Sequence, residues 1–231
     1  METISTKAYA ARLGAVFGFI TVITTLGVHL IPIPASNFDE AVLLYKNTTY
    51  LISRWWIVFH CIAVFISMTG VYVVITSADN IHARLGLMSF AVFSWAEITR
   101  MLLSLTYLAS LRRSFVDQAD PFIKSILRAD IENFSQVGGG LFAVFALGFS
   151  LGNLFYGLEL WKRKGLARVV GALLVFWFFT GMLSLYDLFS PSEGVGNFFE
   201  IYSITFQPIV RGLMAVWLWQ QSNESVQPHT G

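Results

Sequence analysis

Charge is what this chain has least of. Lys, Arg, Asp and Glu make up 13% of its 231 residues, about half the share of a soluble domain. Hydrophobic residues make up 55%, and a bilayer is the solvent that such a composition fits. Cysteine is nearly absent: the single Cys61 excludes an internal disulfide and a thiolate metal cluster, and reads as a small buried hydrophobe. The net charge is +1 and no basic run is present to track phosphates, so a nucleic-acid partner is not expected. HExxH, a serine nucleophile elbow and a glycine-rich phosphate loop are all missing. No Lys stands in mid-span, which argues against a retinal Schiff base. No metal site and no cofactor are predicted.

What is present is length without charge. Uncharged runs cover 13–38, 55–78, 133–158 and 169–186, each about long enough to cross a ~30 Å hydrocarbon core at 1.5 Å per residue. Two more spans are interrupted, 85–111 by Glu97 and Arg100 and 198–219 by Arg211. Strand alternation is lacking, so helices are the solution that satisfies the backbone in lipid. The expected fold is all-α, a single domain of six transmembrane helices over about 9–31, 55–77, 85–111, 135–161, 167–189 and 198–219. The first span follows a short polar METISTK and reads as a retained helix rather than a cleaved signal.

Six spans put both termini on one side. The loop WKRKGLAR, Trp161 to Arg168, packs four basic residues into that side, so the positive-inside rule places both termini in the cytoplasm of a multi-pass plasma-membrane protein. Two outer loops carry helix signals. Ser36 with Asp39 forms a capping box before Ala41. Asp120-Pro121 starts a short amphipathic helix within the 113–134 loop, expected to lie flat in the headgroup region. Trp55 and Trp56 at one face, and Trp161, Trp217 and Trp219 at the other, fit aromatic belts. The sequon at Asn47 sits too close to the membrane to be more than a chance match.

Helical spacing sorts the polar residues inside the bilayer. Glu97, Arg100, Ser104 and Tyr107 share a face of the third span. Gln207 and Arg211 share one on the sixth with Glu200, and Pro208 beside them frees backbone carbonyls. The fifth span offers Thr180, Ser184 and Asp187, and the fourth Ser150, Asn153 and Gly157. Gly14 and Gly18, like Gly148 and Gly152, have the spacing of close helix contacts, with Ser and Thr bonding back to their own turns.

A charge at the bilayer centre costs about 2.5 to 3.5 kcal/mol. Glu97 has Arg100 on its own helix and Arg211 as a possible partner across helices, but one Glu against two Arg leaves an excess cation at mid-depth. A guanidinium in a polar cavity is a site for an anionic group. His29 and His60 lie at comparable depth on consecutive antiparallel spans. They read first as interfacial hydrogen-bonding groups, then as a vestibule or proton route with Asp187 and Glu200, and last as paired axial haem ligands.

The chain resembles a broad group of bacterial six-span membrane proteins of unknown function. The residues that carry the likeness are Ala11-Arg12-Leu13-Gly14, Asn153-Leu154-Phe155-Tyr156-Gly157 with Gly165-Leu166-Ala167-Arg168 and Gly171, and Val210-Arg211-Gly212-Leu213 with Val216-Trp217-Leu218. The resemblance implies six helices and carries over no activity or site residue.

The residues themselves favour a lipid-embedded protein that binds or transports a small anionic or amphipathic molecule. The expected ligand-binding set is Glu97, Arg100, Arg211, Gln207 and Asn153, with His29, His60, Asp187 and Glu200 as a vestibule, and Glu97 as orienting group and proton carrier. Two other readings stay open. One is an intramembrane enzyme acting on a lipid or isoprenoid with Glu97 as acid or base; the other is a structural or partner subunit with a static Glu/Arg clamp.

Overall fold

The computed structural model describes residues 6–31, 35, 37–77, 80–190 and 193–224, with the backbone alone at 193, 195–197, 199 and 200. Every regular element among the described residues is helical. In order they are α1 (Thr6–Leu30), α2 (Phe38–Leu43) with a 3₁₀ turn at Leu44–Lys46, α3 (Thr48–Ile75), α4 (Ile81–Leu103), a π-helical turn at Ser104–Leu108, α5 (Ala109–Asp117), α6 (Pro121–Trp161), α7 (Leu166–Phe189) and α8 (Glu193–Glu224). Five stretches are long and apolar enough to cross a membrane: Thr6–Leu30, Thr48–Ile75, Pro121–Trp161, Leu166–Phe189 and Ile201–Glu224. The continuous run from α4 to α5 is longer than most of them. Arg84, Glu97, Arg100, Arg112 and Arg113 hold its mean hydropathy down.

The long helices pack as a ring in the order α1, α3, α4, α6, α7, α8, with α8 closing back onto α1. Small residues set how near the helices come. A Cβ on Gly14 would stand 2.8 Å from Gly70 Cα, and one on Gly18 2.8 Å from Ala215 Cβ, so α1 lies backbone to backbone between α3 and α8. Thr21 and Thr25 donate back to the carbonyls of Gly18 and Thr21, at 2.6 and 2.7 Å, and so remove their hydroxyls from the apolar contact. On the far side, Tyr156 of α6 lies against Gly86 of α4 and donates to the Met68 carbonyl of α3 at 3.2 Å. The seam between α7 and α8 is the thinnest in the ring. It is held by aromatic pairs of Phe176 and Trp177 with Phe206, and by a 2.6 Å hydrogen bond between Thr180 Oγ1 and Tyr202 Oη.

The α1–α3 contact gives the first prediction. Gly14→Leu forces a side chain into backbone, and over-packing of that kind costs about 1 to 3 kcal/mol. The detergent-solubilised variant is expected to melt several degrees below the parent in a thermal-shift assay.

The structure departs from the sequence reading at the loops. Helix α6 starts at Pro121 as expected, with Asp120 Oδ1 accepting from Phe122 and Ile123 N–H. It does not end near 134, however. It runs through Gly138, Gly139 and Gly140 as one helix of 41 residues, so a separate helix within the 113–134 loop is not what forms. Glycine weakens a helix by about 1 kcal/mol per residue and does not break it as proline does. Ile131 and Phe134 also gain burial against Leu108 and Val42. At 1.5 Å per residue α6 is about 60 Å long, roughly twice the hydrocarbon thickness.

Helix α2 is capped by Asn37, whose side chain accepts from Glu40 N–H at 2.9 Å. Ser36, expected to cap it, lies outside the described residues. Asn47 is the N-cap of α3, accepting from Tyr50 N–H. Trp55, Trp161 and Trp219 are exposed, whereas Trp217 is buried and belongs to the core rather than to a belt. Trp56 turns inward over Gly27 and donates to the Thr24 carbonyl at 2.9 Å.

Candidate functional site

Inside the ring lies a cavity of about 290 Å³. Every long helix contributes to its wall, and the polar residues come from the stripes that the spacing predicted. His29 is on α1, His60 on α3, Glu97 and Arg100 on α4, Ser150 on α6, Thr180 and Ser184 on α7, and Gln207 and Arg211 on α8. The remaining wall is aromatic, from Phe93, Phe142, Phe145, Phe149, Trp177 and Tyr202. The volume lies at the lower edge of small-molecule sites, which combine an apolar wall with a few convergent polar groups.

Glu97 and Arg100 form a two-pronged pair. Arg100 Nε donates to Glu97 Oε2 at 2.8 Å and Nη2 to Oε1 at 2.5 Å. Residues three apart on a helix are neighbours on its surface, and the pair therefore lies within α4. Both carboxylate oxygens are directed at one guanidinium, the geometry of a counter-ion. On its other side the guanidinium sits 5.6 Å from the Phe142 ring centre.

Arg211 has no such partner. Its side chain is 2% exposed, and Nε and Nη1 are buried with no hydrogen-bond acceptor. The ion pairs among the described residues do not include it, so the cross-helix bridge to Glu97 does not form. Glu97 directs both oxygens at Arg100 instead. Around Arg211 stand rings: its Cζ is 5.2 Å from the Trp177 centre and 6.0 Å from that of Phe149. Cation–π contacts are worth about 0.5 to 2 kcal/mol, less than the cost of holding an ion out of water. Ser150 Oγ, also in the wall, is a further buried polar atom without a partner.

The histidines face the same cavity at different depths. His60 is 9% exposed, and its Nδ1 meets Thr24 Oγ1 at 2.7 Å. His29, near the end of α1, is exposed and lines the cavity together with Gln207 of α8.

Two expected members stand elsewhere. Asn153 is fully buried and neither amide atom has a partner. It lies about one turn past Ser150, beyond the last α6 residue of the wall, and so is not a cavity residue. Asp187 is likewise about one turn beyond Ser184, outside the wall. The side chain of Glu200 lies outside the described residues.

The largest omission of the sequence reading is the pair Arg54 and Arg112. Both are built into helices, Arg112 with 7% exposure. For Arg112 the cause is the π-helical turn that starts at Ser104, one turn after Arg100, where Ser104 Oγ donates to the Arg100 carbonyl at 2.9 Å. In an ideal helix Arg112 would stand about 120° round from Arg100. A π turn takes in roughly one extra residue, about 100° of rotation, and brings the two onto one face. The same shift sends Tyr107, expected beside Arg100, outward to 53% exposure.

Compared with known protein families, curated proteins and solved structures, the chain matches none of them. The functional reading therefore rests on the geometry.

Proposed function

We propose that this protein is a six-span plasma-membrane protein that binds or transports a small anionic or amphipathic molecule in the cavity enclosed by its helix ring. The sixth span in this reading is the α4 to α5 run, whose charges turn inward or lie near its ends. The orientation, with both termini cytoplasmic, rests on the basic turn from Lys162 to Arg168, a short connection of the kind the positive-inside rule reads best. The histidine-bearing mouth then faces outward.

The observation that carries the proposal is the isolated Arg211. A guanidinium stays charged in a protein, and here it is buried against two aromatic rings with no ion pair to a described carboxylate. An anionic group entering the cavity supplies a counter-charge that the described residues do not. Arg100, tethered to Glu97, adds a second positive wall, and Gln207 and Ser150 offer neutral hydrogen bonds. The aromatic lining suits an apolar portion attached to the anion.

Native mass spectrometry of protein extracted in a mild neutral detergent tests this. A stoichiometric adduct of an acidic or amphipathic molecule is the expected result. A clean unliganded mass from protein that gel filtration shows to be folded contradicts it.

A further inference from the structure

A second cavity of about 380 Å³ lies beside the start of α3 and the start of α5. Arg54, Arg100 and Arg112 line it together with Tyr50. The Arg54 and Arg112 guanidiniums share the Tyr50 ring, with Cζ at 4.6 and 5.3 Å from its centre. Arg54 Nε and Arg112 Nε and Nη1 are buried without an acceptor. Arg54 Nη1 donates to the Met101 sulfur at 3.6 Å, a weak acceptor. Neither arginine forms an ion pair with a described residue, and the Glu97 carboxylate is held by Arg100.

We infer that this cavity is a second anion site, one that takes a phosphate group between Arg54 and Arg112. The charge count favours phosphate over carboxylate. With Arg100 neutralised by Glu97, two full cations remain, and a phosphate monoester carries about 1.5 to 2 negative charges at neutral pH. Guanidinium forks match phosphate oxygens in pairs. Two like charges stacked on one ring repel each other, so a role confined to packing gives no reason for keeping both. Position points the same way. Arg54 lies about 9 Å from the start of α3 and Arg112 about 8 Å from the end of α5 at 1.5 Å per residue, a depth suited to the phosphate of a lipid as well as to free phosphate. The site stands on residues other than those of the central cavity, with Arg100 and Phe142 as the shared wall.

The test uses the full chain in a neutral detergent, with dioctanoyl phosphatidic acid, inorganic phosphate and dioctanoylglycerol as probes, binding being read by microscale thermophoresis. The parent is expected to bind phosphatidic acid and not dioctanoylglycerol. Arg112→Gln and Arg54→Gln should each weaken that binding at least tenfold, Arg112→Lys should weaken it less, and Arg211→Gln should leave it within twofold. If inorganic phosphate binds with the same dependence on Arg54 and Arg112, the site stands and the source is free phosphate. The inference is overturned if the folded Arg112→Gln and Arg54→Gln proteins bind as the parent does. Binding lost only in Arg211→Gln overturns it too, because the phosphate would then sit in the central cavity.

Discussion

Glu97→Gln is expected to lower the stability of the unliganded protein by about 2 to 3 kcal/mol and to tighten its binding of anions. Removing one partner of a buried ion pair costs about 3 to 5 kcal/mol, because the other charge is left without compensation. Glu97 is 5% exposed and Arg100 25% exposed, so water at Arg100 takes up part of that loss, and the lower range follows. The two effects have opposite signs for one reason. Without its carboxylate, Arg100 becomes another free cation in the cavity wall, which the empty protein tolerates poorly and an anion welcomes. Thermal melting in detergent with and without an anionic ligand checks both. A variant as stable as the parent would mean that Glu97 is not the counter-ion of Arg100.

Arg211→Gln is expected to act in the reverse direction, with anion affinity falling about a hundredfold while the unliganded protein loses no stability. A hydrogen-bonded charge pair lost from a desolvated site costs about 2 to 5 kcal/mol of binding, and a hundredfold is roughly 2.7 kcal/mol. On the stability side, the lost cation–π contacts of about 0.5 to 2 kcal/mol are offset by removal of a charge that costs about 2.5 to 3.5 kcal/mol in the membrane. A static clamp predicts the contrary, since cutting a structural ion pair destabilises. The melting temperature of purified Arg211→Gln, measured beside its binding isotherm, separates the two accounts.

Helix periodicity made much of this site legible. The pair Glu97 and Arg100, the pair Gln207 and Arg211, and the facing histidines meet in one cavity because polar groups in lipid turn toward the bundle interior. Gly14 and Gly18 were readable for the same reason, since side-chain size limits how near two helices come. The failures have physical causes as well. Arg112 was hidden because periodicity assumes 3.6 residues per turn, and the wide turn at Ser104–Leu108 breaks that count without a Gly or Pro to announce it. Asn153 was over-read: its spacing from Ser150 looked like one stripe, yet the cavity ends before it. Helix α6 was cut short because charges at Lys124, Arg128, Asp130 and Glu132 mark where a membrane ends, not where a helix does. Trp177 could not be picked from an apolar helix, as nothing in the sequence says which aromatic stacks on a cation.

The most direct test of the central claim compares ligands of one chain length with and without a charged carboxylate. Octanoate and 1-octanol would be titrated against the parent protein and Arg211→Gln in a neutral detergent. Octanoate is predicted to bind the parent about ten times more tightly than octanol, with that preference gone in Arg211→Gln. Equal affinity of the parent for both, or an octanoate preference that survives the loss of Arg211, would contradict the assignment of this guanidinium as the anion site.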